Sequence, residues 1–376
     1  MSIKPLRDYT ALTIDGGGIK GYIVATALID LERELGGKRL IEVPQIKVLA
    51  GTSTGAIIAA AIALGMSASD IADFYKNLGQ QVFPPRLGPW LATHFPTLEK
   101  DVDKLAEGEL LAKTALYSND NLIAFVKKTI ADITGNPDFT LHDLSEQLPP
   151  DKQLIITTMN ILERRTHFLR SNDPKCGDWP LWKAIVASSS EPLALPVIEH
   201  TAADGTLAYY VDGGVGSYGN PSYFAVRELI NTHQRTPDQV SLLSFGTGWV
   251  NAANYAAANG APSSWHVLKW AMNAPFVLVS DAARAQSLDI LDDFGDELGE
   301  RPEGLDFRRF QFDINPDVNS DAYTDAATYT RMRGLGELLG KRVADNVYAP
   351  SANPEIDPER LFDGYDTRLN LKARKI

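Results

Sequence analysis

One serine in the chain lies between two glycines in a setting that predicts nucleophilic chemistry. It belongs to the segment Gly51-Thr52-Ser53-Thr54-Gly55, which follows an apolar strand pattern and precedes an apolar helix pattern. A Gly-x-Ser-x-Gly segment between a strand and a helix can form a nucleophile elbow, a sharp turn that exposes the hydroxyl above the edge of a sheet. Both glycines are needed because larger side chains would collide with the strand or the helix in so tight a turn. The alternative is an ordinary helix N-terminus at which Ser53 or Thr52 acts only as a cap.

A glycine-rich segment, Asp15–Gly21 with the sequence DGGGIKG, follows another predicted strand and has two interpretations. Through Gly16, Gly18 and Gly21 it fits the pattern Gly-x-Gly-x-x-Gly, which is typical of dinucleotide-binding oxidoreductases. Such a site also needs an acidic residue at the end of a second strand about 20 residues later. Glu42 lies near that distance, but a proline interrupts its segment and weakens the strand pattern.

In the second interpretation the same segment is an oxyanion hole. Consecutive glycines let a loop turn its amides outward, so the N–H groups of Gly16, Gly17 and Gly18 would point at an oxygen that becomes negative during the reaction. Each donor of this kind is typically worth roughly 3–4 kcal/mol at the transition state. A tight strand–helix turn that binds nothing is the remaining explanation.

A serine nucleophile also needs a base. None of the six histidines lies at a clear strand end in a glycine-flanked turn. Asp212, in contrast, directly follows the predicted strand Leu207–Val211 and is followed by Gly213 and Gly214. Taken alone, this segment is explained by an Asp-Gly turn without function, and Asp15 is a rival carboxylate. Because active sites of open α/β sheets lie at the carboxyl ends of strands, all three segments are expected to face one crevice.

The order of the predicted elements is what places these segments together. Strands are predicted at Tyr9–Ile14, Ile46–Ala50, Gln153–Met159, Leu207–Val211 and Gln239–Phe245. Helices are predicted between them, among others at Asn121–Ile133, Leu181–Ser188 and Ser222–Asn231. This alternation predicts a three-layer α/β/α fold with a mainly parallel central sheet and helices on both faces.

Two segments depart from the alternation. Phe83–Lys100 is rich in proline and aromatic residues, and it is expected to be a lid or lipid-docking loop or else to pack into the core. Asn251–Ser264 is small and polar, which predicts a mobile loop. No linker divides the chain, so we expect one domain over residues 8–345, with the motifs in 8–250 and a tail over 346–376.

Composition limits the classes of function. The 376 residues carry a formal net charge of −12, which argues against generic nucleic-acid binding. The single cysteine, Cys176, allows no intrachain disulfide and fits a reducing compartment, so a cytoplasmic location is expected. Val48–Gly65 is the only stretch that approaches a membrane span, and its small polar residues favour a buried strand–turn–helix instead. No metal-ligand spacing is present, and no metal or cofactor is predicted.

The three segments together resemble the patatin-like phospholipases, a family of lipid acyl hydrolases. The family pattern matches Asp15–Gly21, Gly51–Gly55 and Asp212–Gly214 in the same order. Ala184–Ile198 is similar to the family's small-residue helix and proline-bearing strand, and Leu242–Gly248 to its late strand and turn. The resemblance covers roughly residues 8–250; farther on only Phe307–Asp313 can be placed, and loosely.

The resemblance implies a Ser-Asp dyad without histidine, in which Ser53 is the nucleophile and Asp212 the base. It also implies that Gly16–Gly18 form the oxyanion hole and that the substrate is a phospholipid or related lipid, met at a membrane surface. Lys20 stands where many members carry arginine, and a lysine offers a point charge where arginine offers a fork of donors. The motifs are completed by Asp15, Gly21, Gly51, Thr54, Gly55, Gly213 and Gly214. A non-catalytic lipid-binding protein is a further alternative, and the serines at 188–190 lack an elbow and are not expected to be nucleophiles.

Overall fold

A single mixed sheet forms the centre of the protein in a computed structural model that describes residues 3–82, 118–192, 194–202, 204–250, 252–265, 267–294, 304–314 and 326–348. Within these ranges the strands are β1 (Tyr9–Ile14), β2 (Ile46–Thr52), β3 (Gln153–Asn160), β4 (Arg165–Arg170), β5 (Ile198–Thr201), β6 (Leu207–Asp212), β7 (Val240–Phe245) and β8 (Asp306–Phe310). Their order across the sheet is β5-β6-β3-β2-β1-β7-β8, and β4 pairs with β3 outside this path. The five strands predicted from the sequence are all present, each within two residues of its expected ends.

The sheet is parallel in its centre and antiparallel on one side. Strands β3, β2, β1, β7 and β8 pair in parallel, whereas β4, β5 and β6 pair antiparallel with their neighbours. Antiparallel pairing follows from the connections, because the four residues between β3 and β4 and the five between β5 and β6 are too few for a parallel crossover. β6 therefore runs opposite to the direction that a purely parallel sheet would give it.

Helices cover both faces of the sheet. They are α1 (Gly21–Glu34), α2 (Thr54–Ala63), α3 (Ala68–Val82), α4 (Asp120–Thr134), α5 (Leu141–Gln147), α6 (Leu181–Ser189), α7 (Ser222–Arg227), α8 (Ala252–Asn259), α9 (Val267–Phe294) and α10 (Ala326–Ala344). None of these described helices combines the length and the apolar character that crossing a bilayer requires.

Two hydrophobic clusters, one on each face of the sheet, confirm the three-layer arrangement. Leu12 and Ile14 of β1 belong to the larger cluster, which they share with α1, α2, α4, α6 and α10. Ala11 of the same strand belongs to the smaller cluster, with side chains from α7 and α9. This division follows from the alternation of side chains along a strand, and it explains why the central strands are apolar on both faces.

Three expectations from the sequence need comment. Asn251–Ser264, predicted to be a loop, contains α8 and a 3-10 turn at Pro262–Ser264, because its alanines have the highest helix propensity of all residues. The helix predicted at Ser222–Asn231 is α-helical only to Arg227 and continues as a π-helical turn. The segment Phe83–Lys100 and the tail from residue 349 onward lie outside the described residues.

Candidate active site

Ser53 lies in the sharp turn between β2 and α2 that its flanking glycines predict. Its backbone adopts φ 54° and ψ −123°, in the region that residues with a side chain rarely occupy. A Cβ on Gly51 would overlap the carbonyl of Gly55, and a Cβ on Gly55 would overlap the carbonyl of Ile14. The strand and the helix can pack this closely only because both positions are glycine.

The strained conformation of Ser53 is held by Ser188, at the end of α6. The Ser53 amide donates a hydrogen bond of 2.8 Å to Ser188 Oγ, and the Ser188 hydroxyl donates one of 2.6 Å to the carbonyl of Thr157 on β3. Ser188 is completely buried. A backbone in such a region costs on the order of 1–3 kcal/mol and persists only where its surroundings fix it. Ser188 therefore fixes the elbow to the neighbouring strand.

Asp212 lies at the end of β6, with its carboxylate against Ser53. The Ser53 hydroxyl lies close enough to the carboxylate to lower its pKa, and the Gly214 amide donates a hydrogen bond to Oδ1 at 2.7 Å. The Asp212 amide donates to the carbonyl of Ser190 at 2.9 Å. Residues 188–190 thus contact both Ser53 and Asp212 and fix the distance between them.

The surroundings of Asp212 make its carboxylate more basic. The side chain is only 7% exposed. Burial raises the pKa of Asp212 to about 7; the hydrogen bonds from Ser53 and Gly214 oppose this rise, and the charge of Glu191 adds to it. A carboxylate that titrates near neutral pH has the basicity that a general base requires.

The glycine loop lies beside Ser53, but its three amides are not equivalent. A Cβ on Gly16 would lie 3.3 Å from Ser53 Cβ, so the loop and the elbow are in contact. The Gly16 amide donates to the carbonyl of Gly219 at 2.8 Å, which corrects the expectation that it faces an oxyanion. The amides of Gly17 and Gly18 donate to no acceptor in the described part of the chain. Gly18 has φ 60°, a conformation that favours glycine.

Two contacts hold this loop in place. Thr247, in the turn after β7, donates its hydroxyl to the Gly16 carbonyl at 2.6 Å. Arg309 of β8 forms a bidentate ion pair with Asp15, with distances of 2.9 and 2.5 Å. Arg309 also donates to Ser244 at 2.7 Å and is completely buried. Asp15 is thus paired with a cation, which distinguishes it from Asp212.

The other motif residues pack around the serine turn and the glycine loop. Thr54, the first residue of α2, shares a short hydrogen bond with the hydroxyl of Tyr75, which also donates to the Thr54 carbonyl at 3.0 Å. A Cβ on Gly21 would overlap the Thr54 hydroxyl, and a Cβ on Gly213 would overlap the carbonyl of Thr157. Lys20 is partly buried in the 3-10 turn Gly18–Lys20. These residues join the N-termini of α1 and α2 to the strands that carry the site.

The dinucleotide interpretation requires an acidic residue at the end of a strand about 20 residues after the loop, and within the described residues 3–82 no strand ends there. Glu42 ends a 3-10 turn, Leu40–Glu42, and pairs with Arg39 at 2.6 Å. The glycine loop packs against Ser53.

Sequence reasoning missed three residues that hold the site. The sequence patterns exclude Ser188 as a nucleophile and assign it no other role, although its small-residue segment matches the family pattern. Arg309 lies in the loosely placed segment Phe307–Asp313, and Thr247 lies in the Leu242–Gly248 stretch. No local pattern could have shown that Arg309 pairs with Asp15, which is 294 positions away.

Comparison with known proteins identifies the class to which this fold and site belong. A family model described as patatin-like phospholipase matches residues 12–222, more than half of the chain. The chain therefore belongs to the patatin-like phospholipase family, whose members hydrolyse lipids. The resemblance inferred from the three motifs is confirmed.

Individual relatives match over most of their length. Patatin-like protein 1 of Oryza sativa subsp. indica is 26% identical over 404 aligned positions, which cover 95% of this chain and 89% of the relative. The cGAMP-activated phospholipase of Vibrio cholerae is 25% identical over 350 positions, which cover 89% of each chain. The crystal structure of VipD from Legionella pneumophila matches with a TM-score of 0.41 at 15% identity, over 92% of this chain and 68% of that one.

Proposed function

We propose that the protein is a serine acyl hydrolase that cleaves fatty-acyl esters of phospholipids or related lipids through an acyl-enzyme. The observation that carries this proposal is the placement of the Ser53 hydroxyl against the buried Asp212 carboxylate, beside a glycine loop whose Gly17 and Gly18 amides donate to no acceptor in the described part of the chain. Family membership supports the lipid substrate. The reaction needs no metal or cofactor.

In the first half of the reaction Ser53 Oγ attacks the ester carbonyl while Asp212 accepts the hydroxyl proton. The carbonyl oxygen becomes negative, and the amides of Gly17 and Gly18 donate hydrogen bonds to it. The positive end of the dipole of α2, which begins at Thr54, adds to this stabilisation. The bond to the alcohol then breaks, and the alcohol oxygen takes the proton that Asp212 holds.

The second half reverses these roles with water as the nucleophile. Asp212 accepts a proton from water, whose oxygen attacks the acyl carbon of the Ser53 ester. The same amides hold the second oxyanion. The bond to Ser53 Oγ breaks, Asp212 returns its proton to that oxygen, and the free fatty acid leaves.

The dyad works without histidine because Asp212 is buried. An aspartate in water has a pKa of about 3.9 and is a weak base at neutral pH. Burial destabilises the charged form and so makes the ionised carboxylate a stronger base. The direct contact with Ser53 makes a relay unnecessary.

The test combines labelling with lipid hydrolysis. We expect a fluorophosphonate probe to modify Ser53, and the protein to release fatty acid from phosphatidylcholine vesicles. Ser53→Ala should lose both. Ser189→Ala is a matched control in the same site region, because within the described residues the Ser189 hydroxyl bonds only to the Ile185 carbonyl, at 2.9 Å.

Each competing interpretation predicts a different result. A non-catalytic lipid-binding protein would leave vesicle lipids intact while still binding the vesicles. An oxidoreductase would show a higher melting temperature with a dinucleotide, with no adduct on Ser53. Either result would refute the hydrolase.

A further inference from the structure

Strand β3 extends beyond the sheet edge that carries Ser53. The last residue of β2, Thr52, pairs with Thr157, and β3 continues for three more residues to Asn160. Strands β4 and β6 pair with this extension on its two sides, so that Asn160 is opposite both Arg165 and Tyr210. At about 3.3 Å per residue, the extension projects roughly 10 Å past the edge. We call the residues 158–167 and 207–212 the arm.

The end of the arm exposes aliphatic side chains. Leu162 is 61% exposed and Ile161 is 40% exposed, both in the turn between β3 and β4. Leu207, at the start of β6, is 43% exposed. Because β6 runs antiparallel to β3, Leu207 lies three residues beyond the Asn160–Tyr210 pair, on the same outer side. Isolated exposed leucines are common, but three aliphatic residues at one projecting end form a patch.

The same turn carries two arginines. Arg164 and Arg165 are exposed, and the Arg165 guanidinium lies 3.0 Å from Glu163. Glu163 is shared with His167, at 2.9 Å. The turn 161–165 therefore carries two positive charges and one negative charge, and the exposed Asp204, in the loop before Leu207, adds one negative charge near the same end. Positive charge beside exposed aliphatic groups is the combination that anionic lipid surfaces attract.

We infer that the end of the arm, formed by Ile161, Leu162, Arg164, Arg165 and Leu207, docks on a lipid surface that contains anionic headgroups. The aliphatic side chains enter the interface, and the arginines bind lipid phosphates with their forked donors. This inference rests on the proposed function for the lipid nature of the partner.

The position of the arm relative to the site connects docking with catalysis. Asp212 pairs with Thr158 at the base of the arm, and Ser53 lies at the sheet edge from which the arm projects. Contact of the arm with a bilayer brings the edge that carries both residues to within roughly 10 Å of the surface. A lipid then has only a short distance to move out of the bilayer.

Binding to vesicles tests the inference independently of catalysis. Full-length protein would be sedimented with vesicles of phosphatidylcholine, alone or mixed with phosphatidylglycerol. We expect Ile161→Ser/Leu162→Ser to bind mixed vesicles at least tenfold more weakly. Arg164→Gln/Arg165→Gln should lose the preference for phosphatidylglycerol, at about fivefold per arginine.

A matched control separates this patch from exposed aliphatic groups in general. Leu338 on α10 is 63% exposed, and Leu338→Ser should bind vesicles like the wild type. Equal binding by Ile161→Ser/Leu162→Ser and wild type, or an equal loss in Leu338→Ser, would overturn the inference. Melting temperatures identify any variant that has lost its fold.

Hydrolysis then distinguishes failure of docking from failure of the proposed function. Ile161→Ser/Leu162→Ser should hydrolyse a soluble short-chain ester like the wild type and release less fatty acid from vesicles. If the wild type hydrolyses neither substrate while vesicle binding still depends on the arm, the hydrolase is refuted and docking stands. Equal loss on both substrates would refute docking.

Discussion

Asp15 follows β1, Asp212 ends β6, and both precede consecutive glycines, yet their surroundings differ in one respect. Asp15 is 5% exposed and forms a bidentate ion pair with Arg309. Asp212 is 7% exposed, and its carboxylate meets the Ser53 hydroxyl and the Gly214 amide. A buried carboxylate beside a guanidinium is held in an ion pair, whereas Asp212 has the raised pKa that the proposed base requires. The nearest cation, and not the local sequence, separates the two roles.

The largest effect is expected when the base is removed. Asp212→Asn keeps the shape of the side chain but cannot accept the Ser53 proton, so kcat for a soluble ester should fall about 10²- to 10⁴-fold. Asp132→Asn is the control, because that carboxylate is on the surface of α4. Full activity of Asp212→Asn would show that the two aspartates do not differ in the proposed way.

Breaking the Asp15 ion pair tests whether it holds the loop. Arg309→Met leaves a buried carboxylate without its cation, which should lower the free energy of unfolding by about 3–5 kcal/mol in urea titrations. Adding Asp15→Asn should recover part of this loss, because the uncompensated charge is then gone. A variant as stable as the wild type would mean that Arg309 does not hold the loop.

The pKa of Asp212 predicts how the stability difference between Asp212→Asn and wild type changes with pH. The folded protein holds the proton more tightly than the unfolded chain, because the folded pKa is about 7 and the ordinary value is 3.8. Wild-type stability due to this group is therefore present below about pH 4 and is lost as pH rises to about 7. Relative to wild type, the free energy of unfolding of Asp212→Asn should rise by up to about 4 kcal/mol between about pH 4 and pH 7. Above about pH 7 the difference should stay constant. Urea unfolding from pH 4 to pH 8 measures the difference, and a constant difference would contradict the assignment.

The same ionisation should appear in the rate. Because the base must be ionised in the free enzyme, kcat/KM for a soluble ester should fall about tenfold per pH unit below 7 and reach a plateau above it. The pH dependence of labelling by a fluorophosphonate gives an independent measurement. A rate that is constant from pH 5 to pH 8 would exclude Asp212 as a base that titrates near 7.

The smallest expected effect concerns Ser188. Ser188→Ala leaves the Ser53 amide without its acceptor, so kcat should fall about 10- to 100-fold while KM for a soluble ester changes little. Ser190→Ala is the matched control: among the residues that the structure describes, its hydroxyl bonds only to the Val186 carbonyl, at 2.8 Å, and its own carbonyl can still accept from the Asp212 amide. If both variants lose kcat equally, or if only stability changes, Ser188 does not position the nucleophile.

Local patterns were sufficient for the elbow and for most central strands. Strand, glycine, serine and helix follow one another within Ile46–Ala63, so their geometry depends on neighbouring residues and on the space that Gly51 and Gly55 leave. The apolar runs of β1 and β7 likewise reflect burial on both faces of the sheet. The helix α8 was missed because its small polar residues obscured its alanines.

The meeting of Asp212 with Ser53 was predicted for an incomplete reason. A parallel sheet was expected to bring every motif to one edge, but β6 is antiparallel. Its end returns to that edge only because β3 extends past β2 and pairs with β6 along the extension. Register between distant strands is set by the packing of the whole sheet, which no short pattern contains.

The amino-acid sequence by itself determined the serine turn, the glycine loop, the aspartate that ends β6 and the family, because each depends on residues that are neighbours in the chain. Tertiary structure decided which aspartate meets a cation, which glycine amides are already bonded, and that Ser188 holds the elbow. These depend on contacts such as the ion pair between Arg309 and Asp15, two residues 294 positions apart. Such contacts form only when the whole sheet has assembled. The physical reason is that a charge or a hydrogen bond acts over a few ångströms, whatever the separation along the chain.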